Sequence, residues 1–208
     1  GSILLYTEGY RRLRDSVKSG GLGRVYYAFS ERTGVGPLRE DVDAVWDRAA
    51  HDVDIFNRLF GRPLWVSAVG VDALDNGLVD AAFLSLRYEN RVTCHAHVSW
   101  MNQKKVSRVS VVGERGRVDF DDSGAIKRVL AYGGGVAQKP PHRAERSDLA
   151  VTVTGGDEPL RAEAEHFVWC VGTRARPRSD GRSGADVVAV LEAASKSIIL
   201  GAPTKVKL

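Results

Sequence analysis

The chain has 208 residues, 43% hydrophobic and 27% charged, the makeup of a folded globular protein and not of a disordered, collagen-like or membrane-spanning one. Thirty basic against 26 acidic residues leave a charge of +4, spread along the chain rather than gathered in one arm, which argues against a dedicated nucleic-acid binder. Two cysteines, Cys94 and Cys170, cannot build a disulfide framework and point to a reduced, cytoplasmic protein.

The chain opens Gly1-Ser2 and carries its one methionine at Met101, so a tag remnant joined to an internal boundary is expected. The apolar run Ile3-Leu4-Leu5-Tyr6 is too short for a signal-peptide core. No later segment approaches the ~20 apolar residues of a membrane span.

Residues 8–18 place Tyr10, Leu13 and Val17 at helical spacing, and Gly20-Gly21 stops the pattern. Residues 24–32 have the β-branched and aromatic content of a strand, after which Gly34 to Pro37 break the chain. From 42 to 60, apolar side chains at Val42, Val45, Ala49, Val53, Phe56 and Phe60 recur at three or four and predict a helix, which Gly61-Arg62-Pro63 ends. Strands follow at 64–71, 79–88, 91–100, 106–112, 117–120 and 126–131, divided by turn residues such as Asp75-Asn76-Gly77 and Glu89-Asn90. Connections this short imply antiparallel pairing.

In the strand 91–100, Val92, Cys94, Ala96, Val98 and Trp100 alternate with Arg91, Thr93, His95, His97 and Ser99, so one sheet face is buried and the other uncovered. Residues 132–148 are polar and rich in Gly and Pro, which predicts a loop before a last strand at 149–154. Helices at 158–171 and 185–200, joined by a basic loop at 173–184, close the chain. The order of elements describes an α+β fold: an open, mostly antiparallel β-sheet with helices packed on one face.

Few residues have the spacing that chemistry demands. The glycines at 20, 21 and 23 follow a helix and precede a strand, the reverse of a dinucleotide fingerprint, and Gly133 to Gly135 lack a following helix. The chain therefore has no nucleotide-binding loop of its own. On the helix 42–60, Asp43, Asp47, His51 and Asp54 are spaced four, four and three, which at about 100° per residue gathers them on one side, away from the apolar stripe. A carboxylate one turn from an imidazole is a candidate catalytic pair, since histidine titrates near neutrality and can take a hydroxyl proton. The competing reading is an exposed acidic helix face.

His95 and His97 share one face of a strand, where they either grip zinc with a third ligand or decorate a surface suited to subunit association. His142 and His166 have no partner visible in the sequence and read as structural or solvated. Arg174, Arg176, Arg178 and Arg182 either meet phosphate or form a solvated loop, and no aromatic residues are interleaved among them for stacking.

Taken in order, several segments look familiar: Gly23 to Tyr27, Val35-Gly36-Pro37-Leu38-Arg39-Glu40-Asp41-Val42, Trp46 to Asp52, Ser99-Trp100, Val112 to Gly116, Glu165-His166-Phe167, Ser179-Asp180-Gly181 and the final helix. Together the chain resembles the glucose-fructose oxidoreductase, inositol dehydrogenase and rhizopine catabolism family, Gfo/Idh/MocA, over nearly its whole length. Members of that family pair an N-terminal Rossmann domain for NAD or NADP with a C-terminal α/β domain on an open, mostly antiparallel sheet. The resemblance implies that residues 1–208 are that C-terminal domain alone, without the Rossmann domain, its glycine fingerprint or its Glu-Lys-Pro motif.

The resemblance further implies that His51 accepts the proton of a sugar hydroxyl while hydride leaves the same carbon for the nicotinamide, with Asp47 holding the histidine or the substrate. Ala49-Ala50 stand where relatives often have glycine and proline. The Gly-Pro-x-Arg-x-Asp-Val segment resembles dehydrogenases of nucleotide-linked amino sugars or sugar acids, which makes Arg39 a candidate substrate contact; the other reading pairs it with Glu40 or Asp41. The expected protein is the substrate-binding half of an NAD(P)-dependent sugar or sugar-nucleotide dehydrogenase, binding no cofactor by itself and forming a homo-oligomer through the open sheet face. The alternatives are a non-catalytic oligomerisation module of the same fold and, third, a weak polyanion binder.

Overall fold

The structure, a computed structural model, describes residues 2–36, 38–136, 144–155 and 158–207. A 3₁₀ turn, Ile3–Tyr6, leads into α1, Glu8–Lys18. Thr7 caps this helix by accepting the Tyr10 N–H at 3.2 Å, and Gly20, at φ +73°, ends it in the left-handed turn that glycine tolerates best. The first glycine cluster is thus a helix terminus.

Strand β1, Val25–Thr33, follows, then a wide π turn at Val45–Ala49 that opens directly into α2, Ala50–Phe60. The next strands are β2, Pro63–Val71, β3, Ala81–Tyr88, β4, Thr93–Ser99, β5, Val106–Gly113, β6, Gly116–Asp121, β7, Lys127–Val136, and β8, Ala144–Thr154. Helices α3, Pro159–Thr173, and α4, Gly181–Leu200, precede a two-residue β9, Thr204–Lys205.

The nine strands form one open sheet in the order β8-β7-β6-β5-β1-β4-β3-β2-β9. Hairpin neighbours pair antiparallel as expected, with one exception. Strand β1 lies between β4 and β5, parallel to β4 (Phe29 opposite His95) and antiparallel to β5 (Phe29 opposite Ser110), so the consecutive strands β4 and β5 are not neighbours. The predicted loop at 132–148 is shorter than its composition suggests, because β7 and β8 extend into it from both sides. His142 lies outside the described residues.

Alternation along each strand sends one set of side chains into the core and the other to the uncovered face. In β1 and β4, Ala28, Ser30, Cys94, Ala96 and Val98 are buried beneath the helices, whereas Tyr27 and His95 are exposed. Helix α1 packs on β6 and β7, α4 on β2, and α2 against α4. Trp100 is buried with its indole N–H donating to the buried Asp80 at 2.7 Å, which also accepts the Ala73 and Leu74 amides and fixes the end of the β2–β3 connection. Among the described residues no helix is long and apolar enough to cross a membrane.

Candidate active site

The π turn is built by local hydrogen bonds that the amphipathic pattern did not reveal. The Ala44 N–H donates to the Val79 carbonyl at 2.8 Å, and the Asp43 carboxylate accepts the Trp46 N–H at 3.0 Å. The Trp46 indole reaches Ser195 on α4 at 3.1 Å, which anchors the turn to the last helix. Helix therefore begins at Ala44 rather than at 42, and its wide first turn carries Asp47 and Arg48. Such turns recur at functional sites because they reposition side chains without ending the helix.

His51 lies one turn further on, half-buried, at the wall of a cavity of about 190 Å³ that is also lined by Asp54, Arg58, Ser179, Asp180 and Ser183. Among the described residues neither ring nitrogen of His51 has a hydrogen-bond partner. Burial lowers its pKa below the ordinary histidine value, and the nearby Arg32 guanidinium adds to that; the carboxylates of Asp52, Asp47 and Asp54 push the other way without prevailing. The imidazole is thus a neutral base at pH 7, open to a ligand. A larger cavity, about 350 Å³, lies beside α1, β6 and β7, with Gly9, Phe120 and Lys127 in its lining, and contains none of the candidate residues.

Asp47 does not hydrogen-bond His51. Its Oδ1 accepts from Arg39 at 3.3 Å, and its Oδ2 is 4.0 Å from Arg48. Arg39 in turn donates twice to Asp41, at 2.9 and 2.6 Å, so this arginine links its own loop to the π turn. Arg39, Asp47 and His51 share one region, with Asp47 acting on the imidazole through its field alone. Asp54 departs from expectation: it is buried, not on an exposed acidic stripe, and accepts from Arg58 at 2.8 Å and from the Ser2 hydroxyl.

Sequence reasoning overlooked the pair behind the site. Asp52 is wholly buried and binds Arg32 of β1 through two hydrogen bonds, at 3.2 and 2.8 Å. Arg32 also donates to Ser107 at 2.9 Å. Asp180 was overlooked too, although an aspartate ahead of a helical pattern is a readable N-cap: it accepts the Ser183 N–H at 2.8 Å. That amide, with Arg176 second, holds the Asp180 pKa at about 2.

The remaining candidates lie elsewhere. His95 and His97 are on the uncovered face, where the Phe83 ring stacks on His97 at 4.5 Å and on His95 at 6.5 Å. Among the described residues no group of three or more His, Cys, Asp or Glu is arranged to hold a metal. His166 accepts the Arg178 amide at 3.1 Å and stacks on Trp169. In the basic loop, Arg176 pairs with Asp180 and Arg178 lies over Tyr6 at 5.5 Å, so both are already engaged. Neither glycine cluster opens a helix after a strand, so neither has the form of a dinucleotide fingerprint.

A family model for the GFO/IDH/MocA C-terminal domain matches residues 10–119, just over half the chain. No curated protein sequence matches. Solved structures share the fold. An oxidoreductase from Agrobacterium radiobacter, in complex with NAD+, L-tartaric acid and magnesium, superposes with a TM-score of 0.80 at 14% identity, over 99% of this chain and 64% of that one. The WlbA dehydrogenase from Bordetella pertussis, in complex with NADH and UDP-GlcNAcA, gives 0.76 at 16% identity, over 100% and 64%. The UDP-N-acetylglucosamine 3-dehydrogenase GnnA from Acidithiobacillus ferrooxidans gives 0.74 at 23%, over 95% and 60%. The chain spans less than two thirds of the length of each.

Proposed function

The chain belongs to the GFO/IDH/MocA C-terminal domain family, and on that premise we propose that it is the substrate-binding domain of an NAD(P)-dependent dehydrogenase acting on a sugar or sugar nucleotide. The observation that carries the reading is the partner-free imidazole of His51 at the wall of a cavity, one turn from the Asp47 carboxylate, where burial favours its neutral form. A neutral imidazole accepts a proton from a substrate hydroxyl as the carbon loses hydride. Asp47, Asp52 and Asp54 supply negative charge that favours the imidazolium so formed. Arg39, tied to Asp47, contacts the substrate in this reading.

In this reading NAD or NADP supplies the hydride acceptor and is held by a polypeptide segment outside residues 1–208, which accords with glycine clusters that are not followed by a helix. Two of the solved relatives support a sugar-nucleotide substrate by their names: one holds UDP-GlcNAcA with NADH, the other is a UDP-N-acetylglucosamine dehydrogenase. Self-association through the uncovered sheet face, where Tyr27, Val69 and Phe83 are exposed, completes the reading. A reduced cytoplasmic setting goes with it.

The test joins the 208-residue chain to a cofactor-binding domain of this family and compares wild type with His51→Ala. Turnover should fall by about 10²- to 10⁴-fold, the usual contribution of a positioned base. Full activity of His51→Ala removes the histidine from its role and favours the non-catalytic module. By itself the chain should show no NAD or NADP binding in calorimetry; tight binding contradicts the division of labour.

A further inference from the structure

Three guanidinium groups converge on the π turn, and two of them are engaged by carboxylates. Arg32 is bidentate on Asp52 and donates to Ser107; Arg39 is bidentate on Asp41 and reaches Asp47. Arg48 differs. Its Nε is buried with no hydrogen-bond partner, and only 19% of its side chain is exposed. The nearest carboxylate oxygen among the described residues, Asp47 Oδ2, is 4.0 Å away, beyond hydrogen-bond reach, on a carboxylate whose other oxygen already serves Arg39.

The surroundings crowd this guanidinium without neutralising it. The loop after β1 passes so close that a Cβ at Gly36 would lie 2.8 Å from Arg48 Nη2, so glycine there leaves room for the head group. Burial and the like charge of Arg32 both disfavour the cation, opposed by Asp47 alone. A buried donor left unpaired on a charged group is costly unless a partner of opposite sign fills the place. The Arg32 field reaches both Arg48 and His51, so the two lie within electrostatic range of one group.

We propose that Arg48 is a specificity-determining residue that receives a planar or tetrahedral oxyanion of the substrate, a carboxylate or a phosphate, at the Asp47 turn. The proposal rests on the reading of this region as a substrate site and narrows it to anionic sugars. A guanidinium fork suits both oxyanions, because it offers parallel N–H donors to two oxygens of one group. A neutral sugar leaves the Arg48 donors unpaired and is discriminated against for that reason.

Calorimetry on the 208-residue chain with D-glucuronate, glucose 1-phosphate and D-glucose tests this, using wild type, Arg48→Met and Arg48→Lys. At least one anion should bind roughly tenfold or more tightly than glucose. Arg48→Met should erase that advantage and Arg48→Lys keep part of it, since lysine retains the charge without the fork. Preference for glucuronate assigns a carboxylate; preference for glucose 1-phosphate assigns a phosphate. Equal binding of glucose and both anions, or undiminished anion binding by Arg48→Met, overturns the proposal. Should Arg48→Met fail to fold, the Arg48 Nε–H resonance of wild type decides: it must move on saturation with the anion, and an unmoved signal overturns the proposal. Turnover of His51→Ala reads the dehydrogenase role and the anion preference of Arg48→Met reads the Arg48 assignment, so loss of the one and loss of the other are separate outcomes.

Discussion

Arg32, near the end of β1, and Asp52, in the first turn of α2, form a bidentate ion pair in which the carboxylate is fully buried and the arginine side chain 14% exposed. The pair fastens the central strand of the sheet to the helix that carries His51, and Arg32 contributes to keeping His51 neutral. The pair therefore fixes the position of the candidate base, while its two members push the protonation of His51 in opposite directions.

Removing one half of this pair should cost far more than removing both. Asp52→Ala leaves the Arg32 charge buried without its partner, a loss of about 3–5 kcal/mol in unfolding free energy. Arg32→Met with Asp52→Leu fills similar volume without charge and should recover most of that loss. Urea denaturation of the two variants checks this. Equal destabilisation by the single and the double replacement contradicts the account.

The lowered pKa of His51 makes a pH prediction with a definite sign. An unfolded histidine titrates near 6.5, and burial together with Arg32 puts the folded value lower. Between those two values the unfolded chain binds a proton that the folded chain refuses, so stability rises with pH. This contribution is fully present above about 6.5 and is lost as pH falls through the folded value. His51→Gln should flatten the acid side of the stability–pH curve in that window alone, and the His51 ring protons in NMR should titrate below 6.5. A His51 midpoint at or above that value contradicts the burial argument.

Gly9 makes a packing prediction against helix propensity. In an exposed helix, Gly→Ala gains up to about 1 kcal/mol. Gly9, however, is buried in α1, where an added Cβ would come within 2.2 Å of the Phe120 ring on β6. Overpacking costs about 1–3 kcal/mol, so the net effect of Gly9→Ala should be destabilising. Adding Phe120→Leu should relieve the clash, and thermal unfolding of the single and double variants measures the coupling. A more stable Gly9→Ala contradicts the contact.

What could be read in advance follows from what periodicity encodes. Alternation in β4 identified both faces of the sheet, because side-chain direction is a property of one strand. The insertion of β1 between β4 and β5 was not legible, since neighbours are chosen by the packing of several elements at once. Polar, glycine-rich 132–148 read as loop, yet Gly135 is strand because a Cβ there would lie 1.9 Å from the Glu114 carbonyl oxygen: only a glycine strand passes so close. The π turn widened the helix by a residue, and Asp54, placed by regular spacing on an outer stripe, is buried. Asp52 and Arg48 were invisible for a related reason. A charge facing inward contradicts the amphipathic rule, and nothing in one element reveals the partner waiting on another.

The uncovered sheet face carries the last prediction. Register sets Glu31 opposite His97, His97 opposite Phe83, and Phe83 opposite Val69, a row across four strands with a polar end and an apolar end. Phe83 stacks on His97 at 4.5 Å with the rings nearly parallel, and its other surface remains exposed together with Val69. If two copies bury this end against each other, Phe83→Glu should remove about 1.5–3 kcal/mol of apolar burial per copy and place a desolvated carboxylate in the contact. In a two-fold interface each replacement counts twice, so the association constant should fall by at least two orders of magnitude. The protomer should keep its fold, because Phe83 contributes little to its core. Sedimentation equilibrium of wild type and Phe83→Glu reads both effects. A wild-type chain that is monomeric at every concentration, or a variant that associates as strongly as wild type, removes this face from the assembly.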